Sequence, residues 1–177
     1  SFMKLEMNKR VFLDTSAFFK EYHDERGSDI LHDIFNQTKN GRMVVCISVL
    51  TISEMLNTLD KTRRRHIISD SECLTIADTI LYDISELTKK EAMKIYEPTE
   101  YIIRSSWDLI LTHHLSAIDS IQVITAIECG ADIFLAAEKL SLMTKRKVLL
   151  KAGATHGFDL YQTAYFSQLF EGPISNK

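Results

Sequence analysis

The run Arg10-Val-Phe-Leu-Asp-Thr-Ser16 constrains this chain more than any other stretch. Val11, Phe12 and Leu13 form a continuous apolar segment, the pattern of a strand covered on both faces inside a parallel sheet. Asp14 interrupts it. Ala17, Phe18, Phe19 and Tyr22 then take up helical spacing, which leaves Asp14, Thr15 and Ser16 in a strand-to-helix turn. In open α/β sheets such turns lie at the carboxyl edge, where ligands bind. Asp, Ser and Thr are also the preferred helix N-caps, so capping alone explains Asp14 unless other chemistry reaches the same edge.

The alternation continues along the chain. Residues 28–35 carry a helical stripe at Ile30, Leu31, Ile34 and Phe35, closed by a polar loop over 36–42 that contains Gly41. A second buried strand is read at 43–49. The helix after it starts between 48 and 53, with Leu50, Ile52, Met55, Leu56 and Leu59 as core candidates and Glu54 near its beginning. Ser69 and Glu72 have capping-box spacing and open a helix through Leu81. A third strand falls at 93–96, with 81–87 as the alternative, and Pro98 reads as the first-turn proline of a helix reaching His113. Ile118, Ile121, Ile124, Ala126 and Ile127 follow in helical order up to Gly130, a C-cap. Residues 133–135 read as a short strand, 140–147 as a short helix, 148–150 as a last strand and 160–170 as an amphipathic helix.

Strands alternating with helices imply an α/β fold, a three-layer α/β/α sandwich around a mostly parallel sheet. A chain of 177 residues that is 45% hydrophobic supports one substantial core. The expected organisation is a single domain over 3–177, with a helical insertion around 60–92 and a helical extension after 155. No apolar run approaches the roughly 20 residues of a membrane helix and no signal pattern opens the chain, so a cytoplasmic location is expected. Cys46, Cys73 and Cys129 are widely separated, reading as free thiols in a reducing compartment without a zinc or disulfide framework. A formal charge of −3 supplies no global attraction for a polyanion, so any nucleic acid must be held by local basic patches.

On this reading Asp14 follows strand one, Glu54 follows strand two, Glu138 follows the strand at 133–135, and Asp119 opens the helix leading into that strand. Like charges about 4 Å apart repel by roughly 1 kcal/mol in water and about 4 kcal/mol at an effective dielectric of 20. Four carboxylates at one edge therefore call for compensation. Mg²⁺ or Mn²⁺ supplies it, since both prefer oxygen ligands. Thr15 and Ser16 are placed to orient Asp14 or to hold a coordinated water. A metal at this position can activate water and neutralise charge developing on a phosphoryl group.

Taken in order, residues 11–16 (Val-Phe-Leu-Asp-Thr-Ser), Ile52-Ser-Glu54, residues 115–120 (Leu-Ser-Ala-Ile-Asp-Ser), residues 128–131 (Glu-Cys-Gly-Ala) and residues 133–140 (Ile-Phe-Leu-Ala-Ala-Glu-Lys-Leu) resemble the PIN-domain ribonucleases, in particular their VapC-like toxin branch. The resemblance spans most of 10–150. It implies a metal-dependent endoribonuclease in which Asp14, Glu54, Asp119 and Glu138 bind Mg²⁺ or Mn²⁺ and act in catalysis. It further implies an RNA substrate, an antitoxin protein partner that occludes the acidic pocket, and a homodimer. The chain departs from the family at Ala136-Ala-Glu138, where an aspartate within a Thr-Asn-Asp type turn is common. The alanines offer no side-chain hydrogen bonds, and glutamate reaches one methylene further.

Each feature also has a plainer role. Glu54 and Asp119 suit the first turn of a helix on dipole grounds, and Glu138 suits a solvated surface. Lys61, Arg63, Arg64 and Arg65 are candidate RNA phosphate contacts, yet cations are also favoured at a helix C-terminus. His113 and His114 read as structural, and Tyr101, Ile103 and Trp107 as core residues. Two rivals to the nuclease stand: a PIN-like scaffold that binds RNA or a protein without cutting, motivated by the turn at Glu138, and a phosphoryl-transfer enzyme with Asp14 as nucleophile. The latter normally needs a second acid two positions on, where this chain has Ser16.

Overall fold

The computed structural model describes residues 9–24, 27–136, 150–152 and 160–162, the last two segments by backbone alone. Among the described residues six strands form one sheet: β1 (Lys9–Leu13), β2 (Met43–Ser48), β3 (Met93–Tyr96), β4 (Ile133–Ala136), β5 (Leu150–Ala152) and β6 (Leu160–Gln162). Their order is β3-β2-β1-β4-β6-β5. β1 pairs parallel with β2 and β4, and β2 pairs parallel with β3, whereas β6 runs antiparallel to β4 and β5. Six helices accompany them in the described residues: α1 (Thr15–Phe18), α2 (Ser28–Lys39), α3 (Val49–Arg64), α4 (Asp70–Lys89), α5 (Glu100–His113) and α6 (Ala117–Glu128). The α/β class and the mostly parallel sheet expected from the sequence are both present.

Side-chain alternation along the strands assigns the two faces. Val11, Leu13, Val45, Ile47, Met93 and Leu135 pack with residues of α1 to α4, including Phe18, Leu31, Phe35, Met55 and Ile80. Phe12, Cys46, Phe134 and Ala136 pack with α5 and α6 through Ile102, Leu109, Val123 and Ile124. Phe12 and Phe134 stack at 5.7 Å between centroids, and Phe18 and Phe35 at 5.5 Å. Each such fully buried ring contributes on the order of 1.5–3 kcal/mol through removal from water, which fixes the register of the central strands.

Local sequence sets most of the helix ends. Ser48, Ser69, Thr99 and Ser116 cap α3, α4, α5 and α6 through their hydroxyls, and Ser69 with Glu72 completes the expected capping box. Gly41, His66, Glu91, His114 and Gly130 all stop helices in the left-handed conformation. Some boundaries differ from the sequence reading. α2 continues through 36–39 because Thr38 is buried, and α4 continues past Leu81 because Ile84 and Leu87 join the core. The alternative third strand at 81–87 is therefore helix. Pro98 stands before α5 rather than in its first turn, because the Thr99 hydroxyl accepts from Ile102 N–H and takes the cap.

At the carboxyl-terminal end of the chain, residues 160–162 form β6, where the sequence leads one to expect the start of a helix over 160–170. Pairing with Leu135 and Ala136 on one side and with β5 on the other satisfies their backbone groups through a partner far away in sequence. Of the strand expected at 148–150, Leu150 lies in β5, Leu150–Ala152, and 148–149 fall outside the described residues. The helix expected at 140–147 and the remainder of 160–170 lie outside the described residues. Among the described residues no helix is long and apolar enough to cross a membrane.

Candidate active site

β1 delivers Asp14 to the carboxyl edge of the sheet, between its neighbours β2 and β4. Asp14 Oδ1 accepts from Ser16 Oγ at 2.7 Å and from Ala17 N–H at 2.9 Å, so it caps α1 while lying at the ligand-binding edge. Asp14 is 7% exposed. Its backbone N–H donates to Leu135 O on β4 at 3.1 Å, which ties the turn to the neighbouring strand. Ser16 thus holds one oxygen of the Asp14 carboxylate.

β2 ends at Ser48, and α3 carries Glu54 in its second turn. Glu54 Oε2 accepts from Thr15 Oγ1 at 2.6 Å and from Gln122 Nε2 at 2.7 Å. Thr15 therefore orients Glu54, a role different from the one its sequence position suggests. Gln122 Nε2 also reaches Thr15 Oγ1 at 3.3 Å, and Gln122 Oε1 accepts from Thr51 Oγ1 at 3.3 Å. Gln122 and Thr51 are both buried. One small polar network therefore links α1, α3 and α6 over the carboxyl edge.

Asp119 stands one turn before Gln122 on α6. Its Oδ2 accepts from Ser116 Oγ at 2.7 Å, and its N–H donates back to that oxygen at 3.1 Å. Ser120 beside it is fully buried, with a hydroxyl that has no hydrogen-bond partner among the described residues. The network so places the elements bearing Asp14, Glu54 and Asp119 around one spot. Among the described residues, however, no three Asp, Glu, His or Cys side chains gather closely enough to share a metal ion. Glu138 lies outside the described residues.

The donor set is composed of hard oxygens: three carboxylates and the hydroxyls of Thr15, Ser16 and Ser116. That chemistry fits Mg²⁺ or Mn²⁺, which bind through few carboxylates and retain waters, better than it fits a soft metal.

A PIN-domain sequence profile matches residues 11–141. The chain belongs to the PIN-domain family. No curated protein matches its sequence. Solved structures similar to this PIN domain include two of different origin. One is VapC20 of Mycobacterium tuberculosis, described as a sarcin-ricin loop cleaving toxin, at 15% identity and a TM-score of 0.51, covering 77% of this chain and 96% of VapC20. The other is PAE2754 from Pyrobaculum aerophilum, at 17% identity and a TM-score of 0.55, covering 82% of this chain and 85% of that one. At those identities the likeness is one of fold.

Around the PIN domain's acidic edge, the remaining sequence candidates divide. Arg63 bonds Asp60 at 2.7 Å and Asp70 at 3.1 Å, and Arg64 bonds Asp60 at 2.8 Å, all on the surface. Lys61 and Arg65 make no ion pair among the described residues. This basic group lies seven to eleven residues beyond Glu54, roughly 10–17 Å along the axis of α3. Tyr101, Ile103 and Trp107 are not core residues: they are 57%, 39% and 52% exposed. The buried face of α5 is Ile102, Ser106 and Leu109, which turns those three outward, and the Arg104 guanidinium lies 5.6 Å from the Trp107 ring centroid. His113 and His114 close α5, His114 in the left-handed position, in keeping with a structural role.

Gln122, which joins this network to α6, is the residue that sequence reasoning missed. A signal was present, because Gln122 lies between Ile121 and Val123 and one turn from Asp119. A glutamine in such a place has to find hydrogen-bond partners within the fold.

Proposed function

We propose that this PIN domain is a divalent-metal-dependent endoribonuclease, with Asp14, Glu54 and Asp119 holding Mg²⁺ or Mn²⁺ and Glu138 assisting. The observation that carries the reading is the bridge from Glu54 to Thr15 and Gln122, which joins the neighbour of Asp14 to the helix of Asp119. A divalent cation bound there would supply charge neutralisation at the scissile phosphate and a more acidic water. The chain's own groups do the positioning. Ser16 and Ala17 N–H fix the Asp14 carboxylate, Thr15 and Gln122 fix that of Glu54, and Ser116 fixes that of Asp119. Hydrolysis in line would leave a 5′-phosphate and a 3′-hydroxyl. Lys61 and Arg65 are the cations available for RNA phosphates, since Arg63 and Arg64 are engaged with Asp60.

VapC20 is a sarcin-ricin loop cleaving toxin, and by analogy this chain acts as a toxin restrained by an antitoxin protein or as an RNA-processing nuclease, working as a homodimer in the cytoplasm. The test is cleavage of a panel of cellular RNAs with Mg²⁺ or Mn²⁺. Cleavage that stops with a chelator and in Asp14→Asn and Asp119→Asn supports the reading. Full metal-dependent cleavage by both variants refutes the assignment of these residues.

A second reading is favoured by the lack of a ready three-acid cluster among the described residues: a PIN scaffold that binds RNA or a protein without cutting. Mn²⁺ binding by the folded protein with no cleavage of any RNA in the panel supports that alternative.

A further inference from the structure

On the other end of α6, away from the acids, two thiols from distant parts of the chain meet inside the core. Arg10 sits beside Val44 and Phe12 beside Cys46 in the β1–β2 register, so alternation puts the Arg10, Phe12, Val44 and Cys46 side chains on the face toward α6. Arg10 Nη1 donates to Cys129 O, the C-cap of α6, at 2.6 Å. Cys129 therefore lies over the patch that Cys46 occupies, and the two share one buried cluster. Cys46 is fully buried and Cys129 is 3% exposed. Cys129 Sγ also donates to Ala126 O at 3.2 Å, which holds the sulfur at the helix end. Asp119 is ten residues away along α6, about 15 Å by helical rise, so this pair is separate from the acidic edge.

We propose that Cys46 and Cys129 form a reversible disulfide that fastens the C-terminal end of α6 to β2. With hydrogen peroxide as oxidant, one sulfur attacks a peroxide oxygen, the O–O bond breaks, and a sulfenic acid and one water result. The second sulfur displaces the hydroxyl as a second water and the S–S bond forms. Two thiols lose two electrons and two protons, and one peroxide becomes two waters. The Cys46 thiol is lowered from its usual range by its hydrogen bond with Cys129, with further help from the Arg10 charge against the opposing effect of burial. Cys73, half-buried on α4 and packed in the cluster on the opposite face of the sheet, is the internal control.

The experiment treats the folded full chain with hydrogen peroxide, removes the peroxide, denatures the protein and alkylates it for intact-mass and peptide analysis. The expected result is loss of two of the three alkylatable thiols, a mass lower by two hydrogens, and a linked Cys46–Cys129 peptide that dithiothreitol releases. Cys73→Ser retains the link and Cys129→Ser abolishes it. The proposal is overturned if all three thiols stay alkylatable, if the linked peptide contains Cys73, or if Cys46 and Cys129 pass to sulfinic or sulfonic acids without joining.

Discussion

Replacing Gln122 with leucine removes the amide that ties α6 to the other two acid-bearing elements while keeping side-chain volume roughly constant. The Gln122–Glu54 contact is short, 2.7 Å, and its acceptor is a carboxylate, the class of hydrogen bond whose net contribution is about 1.5–3 kcal/mol. The contacts to Thr15 and Thr51, both 3.3 Å, lie at the weak end for neutral pairs, about 0.5 kcal/mol each. Leucine returns part of this through apolar burial, so the expected loss is about 2–3 kcal/mol. For a chain of this size that lowers Tm by roughly 4–12 °C. Urea titrations of wild type, Gln122→Leu, Glu54→Ala and the double variant form a cycle, in which a coupling of about 1 kcal/mol or more is expected between side chains in contact. A Gln122→Leu protein within about 0.5 kcal/mol of wild type, or strictly additive single effects, would refute the idea that this amide holds Glu54 in place.

Two other predictions concern stability away from the site. Glu91 ends α4 at a φ of +57°, so Glu91→Gly relieves left-handed strain and raises the urea midpoint by the equivalent of about 0.5–1 kcal/mol, whereas Gly41→Ala, at φ +70°, lowers it comparably. Glu21 has its pKa raised from 4.5, chiefly by burial and additionally by Asp83, against the opposing pull of His32 and Lys39. Its protonated form is favoured in the fold, so its contribution is fully present below pH 4.5 and is lost as pH rises through the folded value. Glu21→Gln should therefore stabilise the protein at neutral pH, with the gain fading in acid when urea midpoints are compared from pH 4 to 8.

Local signals made the central frame readable. Val11 to Leu13, the β-branched run in β2 and the Ser69–Glu72 box each declare themselves within a few residues. The features that did not declare themselves depend on distant partners. The buried Thr38 extends α2, and Leu87 extends α4, only because the sheet lies beneath them. The run 160–170 carries apolar residues at helical spacing, yet 160–162 become strand because β4 offers an edge to pair with. Trp107 reads as core from its size, yet α5 buries the opposite face. The places of Asp14 and Glu54 after strands and of Asp119 at a helix start were legible as well. The bonding of Gln122 was only hinted at, because its partners Thr15 and Glu54 lie far away in sequence.

Anomalous diffraction from Mn²⁺-soaked crystals tests the metal assignment most directly. A peak between the side chains of Asp14 and Asp119, with Glu54 joining them directly or through water, is the expected result. A peak elsewhere, or none, in crystals where Glu54 still bonds Thr15 and Gln122 would contradict it.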